Sequence, residues 1–116
     1  MEAGRDEAAR RYESRPGRTV VVTRTLDELC GPVTGVVELP NRLLWRPNRF
    51  VDLADPWSVG WMYALVLREA RRLEDLRSWI DGGTLVRLWP ELNLPRGVRL
   101  AWEDRHPVLR QVRAVA

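Results

Sequence analysis

The sequence contains no lysine, one cysteine, one histidine, one phenylalanine and no long apolar run. Each shortage closes off a class of function. A lone thiol, Cys30, rules out an internal disulfide and any cysteine-rich zinc site, and it fits a reducing compartment. The lone imidazole, His106, precedes Pro107 and has no second histidine or cysteine at metal-ligand spacing, so it reads as a structural or exposed histidine. No apolar stretch approaches the roughly 20 residues of a membrane span, and the chain is charged from Glu2 onward. The expectation is a soluble, cytoplasmic protein. Glycine-rich phosphate loops, nucleophile elbows and zincin motifs are also missing. The acidic pairs Glu74-Asp75 and Glu103-Asp104 read as helix capping and surface charge. No catalytic residue, metal or cofactor is expected.

All nineteen basic residues are arginine, a bias that GC-rich coding explains more readily than chemistry, although guanidinium groups do suit phosphate and carboxylate forks. The sixteen acids are interspersed with them, and a net charge of +3 spread this way argues against a dedicated polyanion-binding surface. Length, at 116 residues, allows one domain with a modest core.

Residues Asp55 to Leu73 read as one central helix, with Asp55 as its cap, Pro56 at the first helical position and no further proline until Pro90. Projected at about 100° per residue, Val59, Met62, Tyr63, Val66, Ala70 and Leu73 gather on one side as a core stripe. Trp57, Trp61, Ala64 and Leu65 lie on the other side, and Arg68 and Arg72 continue that row. Two tryptophans bury roughly 300–500 Å², as much as the largest apolar patch on an ordinary monomer. Either the chain folds over this second side or another protein covers it.

The remaining segments predict an α+β fold: a flexible tail over 1–17, then a single domain over 18–116. That domain has a small β region of two or three short strands with one hairpin, followed by a bundle of four to five short helices. Thr19-Val20-Val21-Val22-Thr23 carries the strongest strand signal. Thr25 and Glu28 resemble a capping box for a short turn that Gly31 and Pro32 stop. Gly35-Val36-Val37-Glu38-Leu39 is a second candidate strand, ended by Pro40-Asn41. Leu43–Trp45 and Phe50–Leu53 flank Arg46-Pro47-Asn48-Arg49 as a predicted hairpin, with Arg46 and Arg49 as solvated turn residues or contacts to phosphate or an acidic partner. A helix through Leu76 and Ile80 is expected to stop at Gly82-Gly83, with a bend near 72–74. Thr84 caps a short helix that Pro90 ends, and Val98, Ala101 and Trp102 face inward on a later one that His106-Pro107 interrupts. The short helices around Gly82-Gly83 superficially suit a helix-turn-helix, but the second offers only Arg87 for reading bases.

Several stretches carry a family resemblance: Gly31-Pro32-Val33-Thr34-Gly35-Val36-Val37-Glu38-Leu39-Pro40, Leu44-Trp45, Phe50 to Pro56, Val66-Leu67-Arg68-Glu69-Ala70, Leu88 to Pro95 and Arg99 to Glu103. In these the chain resembles a group of small uncharacterised proteins of high-GC bacteria encoded beside nucleotidyltransferase-like toxins of the abortive-infection AbiEii type. The resemblance covers about two thirds of the chain and rests on residues of structural character. It implies an antitoxin-like partner of such a toxin, since the acidic metal-binding motif of the transferase itself is missing. Together with the tryptophan row, it gives the expectation of a non-enzymatic interaction protein that binds its partner through Trp57, Trp61, Leu65, Arg68 and Arg72. The alternative is a small DNA-binding regulator using Arg87, Arg96 and Arg99.

Overall fold

The computed structural model describes residues 13–15 and 18–110 of the chain. In order, these form strands β1 (Glu13–Arg15) and β2 (Arg18–Thr19), a 3₁₀ turn (Leu26–Glu28), and strands β3 (Val36–Glu38) and β4 (Phe50–Asp52). Helices α1 (Pro56–Glu69), α2 (Leu73–Trp79) and α3 (Gly82–Leu88), a second 3₁₀ turn (Trp89–Glu91) and helix α4 (Arg96–Arg105) follow. The architecture is the expected α+β, with antiparallel ladders β1–β2 and β3–β4 ahead of the helices. β1 lies within the stretch 1–17 expected as a tail, and it packs against α4. The remainder of that stretch lies outside the described residues, as does Val112 of a last short amphipathic segment expected through Val108, Leu109 and Val112. Among the described residues no helix is long and apolar enough to cross a membrane.

The β-branched run after Arg18 is not a full strand. The ladder ends at Thr19, and Val20, Val21 and Val22 pack half-buried against the core instead. Their apolar side chains pack on the core cluster without ladder pairing, which is why β propensity overstated the strand. Thr23 is buried at the end of this strap, and its carbonyl accepts a hydrogen bond from His106 Nε2 at 3.0 Å. A carbonyl can only accept, so Nε2 carries the proton. The imidazole also lies 5.5 Å from the Trp102 ring, and it joins the strap to the end of α4 as a structural histidine.

The predicted hairpin exists with a different first strand. Val36 pairs with Asp52, Val37 with Val51 and Glu38 with Phe50, while Leu43–Trp45 forms no strand. The amides of Leu43 and Leu44 both donate to the Pro40 carbonyl, closing a turn that drops Leu43 into the core. Pro40 lacks an amide for ladder pairing, so the first strand stops before it.

Helix α1 ends at Glu69, short of the expected Leu73, and the bend expected near 72–74 is a full break just ahead of it. Ala70 turns out of helical geometry with ψ 134°, and the chain re-enters at Leu73. No breaker residue stands there; a buried carboxylate does the work. Asp75 is 1% exposed and accepts from the amides of Arg71 (3.1 Å) and Arg72 (3.3 Å), while Arg42 pairs with it from a distant loop. Burial opposes its charge, but Arg42 and the two amides outweigh that, holding the carboxyl below the usual aspartate range. Asp75 thus caps α2, as expected of it, but from a buried position rather than as surface charge. At the other end of α1, Asp55 occupies the cap position but accepts from the Ser58 hydroxyl (2.6 Å) rather than from a backbone amide.

Gly82 and Gly83 do not stop a helix; they open α3. The cap is Asp81, whose carboxylate accepts from the Thr84 amide and hydroxyl, both at 2.9 Å. The glycines are needed because two backbones cross here. The Gly31 amide donates to the Ile80 carbonyl (2.8 Å) and the Gly82 amide to the Leu29 carbonyl (3.0 Å), forming a bridge between Cys30 and Asp81. A Cβ on Gly31 would meet the Trp79 backbone at 2.5 Å, and one on Gly82 the Leu26 carbonyl oxygen at 2.6 Å. The neighbouring capping turn is as expected: the Thr25 amide donates to Glu28 at 3.0 Å, and Arg77 of α2 pairs with Glu28 at 2.8 Å.

Two outcomes test this account. Gly82→Ala should lower unfolding stability by at least about 2 kcal/mol, since backbone must move, whereas Gly60→Ala, which meets no atom within 4 Å, should raise it by about 0.5–1 kcal/mol. Urea titrations compare them directly. For His106, burial pushes the imidazole below its ordinary value of 6.5, with the Thr23 carbonyl opposing and Arg105 adding to the shift. The unfolded chain therefore binds more protons just below that value, so stability is complete above about pH 7 and declines as pH falls through about 6.5 toward the folded value. His106→Gln should flatten that decline, read as melting temperature between about pH 7.5 and about pH 5.5. Asp75, shifted downward, adds its own loss only below about pH 4.

Candidate functional site

Burial along α1 divides by end rather than by face. Met62 through Leu67 are all buried, whereas Pro56 and Trp57 are exposed and Ser58 through Trp61 half-buried. The helix is sunk at its carboxyl end and emerges at its amino end. Its emergent part floors a groove of about 480 Å³, lined by Pro56, Trp57, Gly60, Trp61, Ala64 and Arg68 and faced by Glu91, Leu92 and Asn93.

The facing wall is held by a buried polar cluster. The Trp89 indole is fully buried, and its Nε1 donates to Glu103 Oε2 at 2.9 Å. Arg99, one turn earlier on α4, lies 3.8 Å from the same carboxylate and 5.0 Å over the Trp89 ring. It also donates to the carbonyls of Trp89 and Leu92. Buried charge requires such partners, and the arrangement ties the second 3₁₀ turn to α4. Arg99, expected as a DNA contact, is thus an internal brace.

Within the groove, Trp57 is 76% exposed. Trp61 is half covered by the Arg46 guanidinium, which sits 4.8 Å from the ring centre, a cation–π contact. Arg46 also donates from Nε to the Asn48 carbonyl at 2.7 Å. Arg49, its expected companion in anion binding, is spent inside the loop: it donates to the carbonyls of Leu39 (2.8 Å) and Arg46 (3.3 Å) and pairs with Glu38 (3.3 Å). Gly60 lies open at the floor with no neighbour to use its smallness. A mid-helix glycine costs about 1 kcal/mol relative to alanine, and among the described residues nothing occupies the open space beside it.

Of the five residues expected to bind a partner, Trp57, Trp61 and Arg68 meet in the groove. Leu65 is buried in the core and belongs to the interior. Arg72 is exposed at the helix break, 3.8 Å from Asp75, beside a separate cavity lined also by Arg42, Leu43, Glu69 and Arg71. Arg68 Nε lies 3.3 Å from its neighbour Glu69. Sequence reasoning missed two exposed aromatics. Trp45, 85% exposed, was assigned to a strand, and Phe50 points outward from β4. The turn expected at 46–49 already set Trp45 at its edge, and alternation with the buried Val51 was the available sign for Phe50.

The other chemical candidates are occupied. The Cys30 thiol donates to the Asp27 carbonyl at 3.4 Å, and His106 is engaged with Thr23. Among the described residues no group of three or more histidine, cysteine, aspartate or glutamate side chains is placed to hold a metal. A helix-turn-helix reader presents the first turn of its second helix to the bases. Here that turn, Gly82 to Leu85 on α3, is largely buried against Leu26 and Leu29.

If Trp57 serves nothing within the fold, Trp57→Ser should change unfolding stability by less than about 0.5 kcal/mol, whereas Trp61→Ser should cost about 1–2 kcal/mol. Chemical denaturation followed by circular dichroism separates them. Compared with known proteins, the chain matches no family model, no curated protein and no solved structure, so the groove is read from its own residues alone.

Proposed function

We propose that this chain is a non-enzymatic interaction protein, an antitoxin-like partner that binds and restrains a nucleotidyltransferase-type toxin through the α1 groove. The observation that carries the reading is Trp57, exposed on a rigid helix beside a half-covered Trp61 and an open Gly60. Interface hot spots are enriched in tryptophan and arginine set in pockets that lose water on binding. A partner segment laid into the groove would desolvate both indoles and approach the α1 backbone closely at Gly60. Arg68, with Arg71 and Arg72 beyond it, would meet acidic groups of the partner through charge-assisted hydrogen bonds. Carboxylates that hold the toxin's metal are the groups whose capture would restrain it. The type of partner comes from the resemblance carried by residues 31–40, 50–56, 66–70, 88–95 and 99–103.

Co-expression with the toxin-like protein of the neighbouring gene tests this. The pair should copurify, and this chain should restore growth. Trp57→Ala and Gly60→Arg should each weaken the complex by roughly thirtyfold or more while the chain stays folded. Absence of both a complex and growth rescue would discard the proposal, and full affinity in both variants would move the interface elsewhere.

A further inference from the structure

A second cavity, of about 290 Å³, opens on the other flank of α1. Its walls come from distant parts of the chain: Pro32 after the backbone crossing, Leu53 after β4, Val59 and Tyr63 on α1, and Arg87 and Leu88 on α3. Of the residues lining it, Pro56 alone also borders the tryptophan groove. Cavities of about 150 Å³ already accommodate benzene, and ligand pockets begin near 300 Å³. The space therefore suits one ring or one branched aliphatic group with a short polar stem.

The polar groups at its floor are satisfied internally. The Tyr63 hydroxyl accepts from the Asp81 amide at 2.9 Å, and the Thr84 hydroxyl donates to the Asp81 carboxylate at 2.9 Å. Among the described residues no acidic side chain lines the cavity. The carboxylates near its walls in sequence are engaged: Asp52 with the Ala54 amide, Asp55 with the Ser58 hydroxyl and Asp81, three residues before Thr84, with that residue's amide and hydroxyl. Arg87 is the single charged residue of the lining, and it makes no ion pair among the described residues. An apolar chamber with one unmatched guanidinium at its edge complements a compact apolar body bearing an anion. A planar guanidinium pairs best with a planar, two-oxygen acceptor.

We propose that this cavity binds a small aromatic or branched-chain carboxylate, its apolar body enclosed by Pro32, Leu53, Val59 and Leu88 and its carboxylate held by Arg87. The site is independent of the partner groove and stands or falls separately from it.

The experiment uses the full-length protein, labelled with ¹⁵N, titrated with phenylacetate, benzoate and isovalerate and, as the neutral counterpart, phenylacetamide. At least one of the carboxylates should give saturable shifts of the Val59, Tyr63, Thr84 and Leu88 amides. Phenylacetamide, and the carboxylates on Arg87→Gln, should bind about tenfold more weakly or not at all, as expected for loss of one charge-assisted pair. Ala54→Trp, an exposed lining position where the added ring fills the chamber without entering the core, should abolish the shifts. Arg96→Gln, on α4 and outside the lining, should bind as the parent does. The proposal is overturned if no carboxylate gives saturable shifts at these amides, if acid and amide bind equally, or if Arg87→Gln and Ala54→Trp retain parental affinity.

Discussion

Six consecutive buried residues on one helix, Met62 to Leu67, impose the constraint that shapes this protein. At about 100° per residue, six positions go round the whole helix, so the carboxyl half of α1 needs cover from every direction. No single neighbouring element in a domain this small is large enough for that. The cover is assembled from short pieces: β4 and α2 packed on the helix, with the valine strap and the residues of α3 and α4 completing the same core cluster. Short pieces hold position only when tied to one another.

Those ties are largely made by arginine. Arg42 reaches Asp75 across the helix break, Arg77 reaches Glu28 across the backbone crossing, Arg49 closes the hairpin loop onto Leu39, and Arg99 fastens Trp89 and Leu92 to α4. In each case a guanidinium adds its donors to a carboxylate or a carbonyl at a turn or helix end. A composition that looks like a coding bias thus supplies the structural connectors of the fold. Where no side chain intervenes, at Gly31 and Gly82, the backbones bond each other directly.

The functional features follow from where the cover runs out. Toward its amino terminus α1 is less covered by the described residues, and the turn braced by Arg99 faces it across the groove through Glu91, Leu92 and Asn93. Trp57 and Gly60 lie on the helix side of that groove. On the opposite flank the chain comes closer but does not close, leaving the smaller chamber edged by Arg87. One helix end thereby presents two recesses of different character, one aromatic and extended, the other apolar and compact.

Much of this was legible in the residues. The α+β class, the Thr25–Glu28 turn, the start of α1 at Pro56 and the inward set Val98, Ala101 and Trp102 all rest on local signals, namely caps, breakers and periodicity, which act over three or four residues. A bend near 72–74 and a capping Asp75 were legible, but not that the bend is a full break from Ala70, that Asp75 is buried, or the roles of Gly82 and Arg99. Each depends on a partner far away in the chain, and a sequence read segment by segment does not contain that partner. The same limit applies to the tryptophan row. A helical projection preserves angle and discards position along the axis, so the sequence could determine that α1 is apolar on two sides. Only the tertiary structure could decide that Leu65 is enclosed while Trp57 is not, because burial depends on how far the covering pieces reach.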